Sequence, residues 1–252
     1  MGVLAVAVTL GGAIWAYGPA ADSADSTRDQ TDVVQAEASR LPNLKVMRTL
    51  AYLKDDLSGT YAYGAEEPKK ESGLRGPHID ITFENRANGP ALITKASLKF
   101  KEMGYVDTCG AVGGDLGISV NYDFPLPDQL PDVPYVMEKD ISFQVGTNEL
   151  DRLTLTVGPK TVSGRPWYGV ADVILEHDDG KKQVVGPVAL IDTGSDEHFY
   201  PDFKQDRWVI EVNDSTCLQG TSRLVNRLLE TPKVIPAKEL KSLRETLKGL
   251  GY

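Results

Sequence analysis

The chain reads as a mainly β protein: an antiparallel β-sandwich with flanking N- and C-terminal helices. Three observations predict this. From His78 onward apolar and polar residues alternate in short runs, the period of a strand with one buried face. Turn formers such as Asn88-Gly89-Pro90 and Asp178-Asp179-Gly180 separate the runs. Helical spacing of leucines is confined to the stretches before and after this region.

Residues 1–21 carry no charge and hold Val3, Leu4, Val6, Val8, Leu10, Ile14, Trp15 and Tyr17. A bilayer core takes about 20 apolar residues as a helix, so the segment predicts a transmembrane anchor, with a cleaved signal at Ala20-Ala21 as the alternative. The flank that follows holds Asp22, Asp25, Asp29 and Asp32 against Arg28. Acidic flanks are poor cytoplasmic ends, which puts the remainder outside the cell. Residues 22–42, polar and rich in Asp, Ser and Ala, read as a tether.

Residues 43–76 predict a short helix and a loop. Val46, Leu50, Leu53 and Leu57 follow i, i+4, i+7, i+11, Ser58-Gly59 ends the run, and the charged stretch around Glu66 to Glu71 reads as exposed. The sandwich domain is expected over 77–215. Its strands are Ile79 to Phe83, Ala96 to Phe100, Leu116 to Tyr122, Ile141 to Val145 and Leu153 to Val157. They are followed by the hairpin Tyr168 to His177 with Lys181 to Ile191, turning at Asp-Gly, and by Arg207 to Glu211. A proline-rich bridge, Phe124 to Pro134, connects the third and fourth. Residues 216–252 return to helix, with Leu240, Leu243, Leu247 and Leu250 opposite Lys241, Arg244, Glu245 and Lys248.

The order of these strands resembles immunoglobulin-like and fibronectin-like extracellular sandwiches, on runs such as Ile141 to Val145 and Leu153 to Val157 around Asn-Glu-Leu-Asp-Arg. The Cys, Trp, Cys spacing of antibody domains is not followed, because Trp167 lies far from Cys109. A tether followed by such a sandwich also looks like uncharacterised bacterial membrane-anchored proteins. That likeness implies a surface location and no activity.

The 252 residues carry 27 Lys+Arg against 36 Asp+Glu, a net charge of −9. Such a chain lacks the cationic footprint that phosphate backbones require, so nucleic acid is not an expected partner. Cys109 and Cys217 are the only cysteines. In an oxidising compartment an even pair predicts a disulfide, and two separate buried thiols are the alternative.

Val188-Ala189-Leu190-Ile191-Asp192-Thr193-Gly194-Ser195 resembles the catalytic loop of aspartic proteases, in which two carboxylates share a proton. The resemblance implies Asp192 as the catalytic acid. A single-chain enzyme would need a second such loop, which the sequence does not contain, and a dimer would have to supply it. Asp-Thr-Gly is also an ordinary turn after a strand. His78, His177 and His198 lie near acidic residues, but no metal-ligand spacing accompanies them, so no metal and no cofactor is expected. Phe199, Tyr200, Phe203 and Trp208 cluster after His198; exposed, they would form a contact surface, and buried, they would close the end of the sandwich. The sequence therefore predicts a non-catalytic binding or assembly module at the cell membrane, with a secreted form as the alternative location. Its expected partners are the membrane through 1–21 and a protein at the cell surface. An aspartic peptidase using Asp192 is the alternative function.

Overall fold

The computed structural model describes residues 43–61, 67–110, 118–161, 165–194, 198–212 and 214–252. The expected anchor 1–21 and tether 22–42 lie outside the described residues. Among the described residues no helix is long and apolar enough to cross a membrane.

The chain is mainly β and its sheets are mostly antiparallel. In chain order the strands are β1 (Leu44–Tyr61), β2 (Lys69–Asn85), β3 (Ala91–Tyr105), β4 (Ile118–Val120), β5 (Phe124–Leu126) and β6 (Tyr135–Val145). They continue with β7 (Leu150–Pro159), β8 (Trp167–His177), β9 (Lys182–Ile191), β10 (Phe199–Asp202) and β11 (Arg207–Ile210). Helix α1 (Ser215–Leu229), the two-residue β12 (Ile235–Pro236) and helix α2 (Lys238–Gly249) complete the order. One five-stranded sheet runs β4-β1-β2-β7-β5, a second runs β12-β9-β8-β3-β6, and β10 with β11 forms a separate hairpin. Among the described residues the parallel pairs are β5 with β7 and β12 with β9.

Alternation builds the interior. Ile79, Ile81 and Phe83 of β2 and Leu98 and Phe100 of β3 are fully buried, and they join Val173 and Leu175 of β8 in one core fed by both sheets. Phe83 of the first sheet meets Phe143 of the second with ring centroids 5.9 Å apart. The expected hairpin forms: β8 pairs with β9, and Gly180 takes φ +77° in the turn, a conformation glycine adopts without steric cost.

The expected helix over 46–57 is corrected: this stretch is the long strand β1, paired with β2 over its whole length. The register shifts between Val46 and Arg48 and again between Asp55 and Leu57. The first shift inserts a residue between the inward positions Val46 and Thr49, and the second puts the buried Leu57, paired with Leu74, on the opposite face from Leu53, so the apolar residues 46, 50, 53 and 57 imitate a helix without sharing one side. Leu50, a member of the helical stripe, instead points outward and is 37% exposed. The expected loop before Pro77 is likewise the first half of β2, and the sheets begin at Leu44 rather than at residue 77.

Both C-terminal helices form as expected. Asp214 caps α1 by accepting from the Cys217 N–H at 3.0 Å, which satisfies a backbone donor left free at the helix start. Leu240, Leu243 and Leu247 of α2 are buried in the shared core, whereas Leu250 is 52% exposed. The helices are thus part of the body that holds the sheets. Cys109 and Cys217 form a disulfide between the loop after β3 and the first turn of α1, across 108 residues of sequence. Beside it Thr221 Oγ1 donates to the Asp107 carbonyl at 2.8 Å.

Candidate functional site

Asp192 follows the last residue of β9 and is buried. Its carboxylate accepts from Trp167 Nε1 at 2.9 Å and from the Thr193 N–H at 2.8 Å, and its own N–H donates to the Trp167 carbonyl. Burial pushes the carboxyl above its usual range, against the pull of those donors and of the Arg75 charge. A small pocket beside it is bounded by Arg75, Tyr122, Thr161, Arg165, Trp167 and Gly194. Among the described residues lining that pocket, Asp192 is the sole acid. The shared-proton chemistry of an acid protease needs a second carboxylate across from the first. The local arrangement instead ties the end of β9 to the start of β8.

The aromatic group divides. Phe199 and Trp208 are buried and pack at 4.9 Å between ring centroids, while Tyr200 is half-buried. Trp208 Nε1 donates to the Glu239 carbonyl at 2.9 Å, and its backbone N–H donates to Thr246 Oγ1, which locks α2 onto the β10–β11 hairpin. Phe203 is 40% exposed, with the Arg75 guanidinium stacked 4.5 Å over its ring. These four residues therefore do not form one continuous contact surface: Phe199 and Trp208 belong to the interior.

The histidines lie on three different elements. His78, buried on β2, places Nε2 2.8 Å from Asp56 and stacks on Tyr52. His177 ends β8 and is buried, and His198 lies 3.1 Å from Glu211 at the surface. Among the described residues the one group of potential metal ligands is Asp107 with Cys109 and Cys217, and its two sulfurs are bonded to each other.

A groove that the sequence reading missed lies beside β1. Arg48, Thr49, Leu50, Ala51 and Tyr52 form one wall, and Ile235, Pro236, Lys238 and Lys241 the other, around a volume of about 370 Å³. Its apolar floor carries three cations and no acid. Tyr52 donates to Asp80 at 3.0 Å, and burial together with that carboxylate pushes its phenol up to about 12, so it stays a neutral donor. Lys238 pairs with Asp206 at 2.9 Å. The helical reading of 46–57 concealed this groove, because it sent Leu50 to the same side as Leu53. Read as a strand, the wall is visible as an edge whose outward residues include Arg48, Leu50 and Tyr52.

No family model and no curated protein matches this chain.

Proposed function

We propose that the chain is a non-catalytic binding or assembly module that works outside the cytoplasm, held at the membrane through residues 1–21, with an immunoglobulin-like β-sandwich as its rigid body. The observation that carries this reading is the Cys109–Cys217 disulfide, since such bonds form and persist in oxidising compartments. Strand order supports the sandwich assignment. β1, β2 and β7 lie adjacent in one sheet as strands A, B and E do in immunoglobulin domains, and β3, β8 and β9 lie adjacent in the other as C, F and G do. The disulfide departs from that family, whose bond joins strands B and F; here it ties a loop to an added helix. The buried, hydrogen-bonded state of Asp192 supports a structural role for the Asp-Thr-Gly-Ser turn.

Topology in intact cells tests the reading. Cells producing the full chain with a C-terminal epitope are treated with a protease that does not cross membranes. The epitope is expected to be lost and, before treatment, to sediment with membranes; recovery in the medium would assign the secreted form. An epitope protected until the cells are lysed would overturn the proposal. The purified chain is also expected to leave unfolded casein intact, and cleavage abolished by Asp192→Asn would establish the peptidase instead.

A further inference from the structure

The groove beside β1 is a side-chain surface with a closed backbone beneath it. Ala51 is buried in the core, and β12, which pairs with β9, packs beside β1 there. Arg48, Leu50 and Tyr52 pair across β2 with Thr82, Asp80 and His78, whereas Thr49 and Ala51 pair with the fully buried Ile81 and Ile79. Directly opposite residues of an antiparallel pair share a face, so Arg48, Leu50 and Tyr52 stand on the outer face of their sheet. On the other wall Ile235 and Pro236 are half-buried, and Lys238 and Lys241, three residues apart and exposed, share one side of α2. Together they bound a discrete hollow of about 370 Å³.

Charge and size identify the occupant. Among the described residues that line the groove, Arg48, Lys238 and Lys241 are cationic and none is acidic, on a chain of net −9. The acids nearby are already matched. Asp206 holds Lys238 at 2.9 Å, and the buried Asp80 accepts from the Tyr52 and Thr154 hydroxyls and lies 3.4 Å from Arg152. Glu239 is buried and does not line the groove. Arg48 and Lys241 remain exposed and without an ion-pair partner among the described residues. The cleft of about 400 Å³ between α2 and β11 mixes Asp206 and Glu245 with Arg207 and selects no sign of charge. Sites for small molecules enclose about 300–1,000 Å³ and combine apolar walls with a few placed polar groups, whereas a protein partner covers about 800 Å² of each surface. The groove matches the first description. An arginine guanidinium also meets a carboxylate through two parallel hydrogen bonds.

We infer that this groove binds a small amphipathic carboxylate, its head paired with Arg48 and Lys241 and its apolar body laid on Leu50, Ile235 and Pro236. The cations supply selection for charge, and the exposed Leu50 gains cover that the folded chain does not give it. The inference rests on the binding-module reading and names the class of ligand.

The test uses the full chain in phosphatidylcholine nanodiscs, with empty nanodiscs as the blank, and para-trifluoromethylbenzoate followed by fluorine NMR. Saturable binding is expected, weakened at least tenfold by Arg48→Glu with Lys241→Glu and unchanged by Lys99→Glu at an exposed site on β3. Two arms need no protein variant. Para-trifluoromethylbenzamide keeps the shape without the charge, and trifluoroacetate keeps the charge without the ring; each is expected to bind at least tenfold more weakly than the benzoate. Absence of saturable binding, indifference to the double charge reversal, or equal binding of the amide or of trifluoroacetate would overturn the inference. So would capture of a glutamate-rich peptide or of phosphatidylglycerol vesicles through the same two cations with no binding of the benzoate, which would mark a protein or a lipid partner. Failure of the benzoate with the C-terminal epitope still cleaved on intact cells removes the groove and leaves the module; a protected epitope removes the module itself.

Discussion

Asp192 occupies the one position where a catalytic and a structural reading give opposite expectations for a single atom change. Its two oxygens accept from Trp167 and Thr193, so Asp192→Asn turns one oxygen into a donor facing a donor. A loss of about 1–3 kcal/mol in denaturant melts is expected, the cost of leaving a buried donor unpaired. The pH dependence gives a second readout. Because burial raises this carboxyl, the folded state holds its proton more tightly than the unfolded chain. That contribution is full below the unfolded value of about 3.9 and is lost as pH rises through the raised folded value, and the variant should lack this slope. Asp123 has the opposite sign. Burial pulls it up, but Lys139 at 2.6 Å and the Thr156 donors outweigh burial and hold it below the usual range. Its contribution is present above the unfolded value and is lost as pH falls through the folded one, so Asp123→Asn should flatten the acid limb. Trp208 and Phe203 make a further pair: Trp208→Ala should cost about 3–5 kcal/mol as a core truncation, and Phe203→Ala less than about 1 kcal/mol. Equal effects in thermal melts would contradict the division between interior and surface.

At the scale of elements, the strands around Ile79 to Phe83, Ala96 to Phe100, Ile141 to Val145 and Leu153 to Val157 and the hairpin ending at Ile191 were legible because each alternates cleanly near a turn former, whereas β5 lies inside the stretch read as a proline-rich bridge. The leucine stripe of α2 was legible through Leu247 for the corresponding helical reason. β1 was not legible, since its register shifts break the period of two while apolar residues at 46, 50, 53 and 57 match a helix, and no single-strand pattern records where a partner strand shifts register. The groove was hidden for the same reason: its walls, around Leu50 and Pro236, lie far apart in sequence and meet only once β1 is placed. Asp192 was legible as a motif, but its burial depends on Trp167, whose indole reaches it from a neighbouring strand. The disulfide joins elements that share no sheet. Replacing both cysteines by serine should cost on the order of 4 kcal/mol in the chain-entropy limit for so long a loop, measured by denaturant melts with and without reductant. Indifference of the parent chain to reductant would contradict that expectation.

For the whole molecule, one core joins two sheets and two helices. A disulfide within this body accords with the proposed setting outside the cytoplasm. The thiol state of Cys109 and Cys217 in living cells bears on this most directly. Cells producing the full chain are quenched with a membrane-permeant alkylating reagent, and the chain is then reduced, labelled with a second reagent and mapped by mass spectrometry. The account predicts that both cysteines carry only the second label; both carrying the first would mean free thiols in the cell and would contradict an extracytoplasmic module.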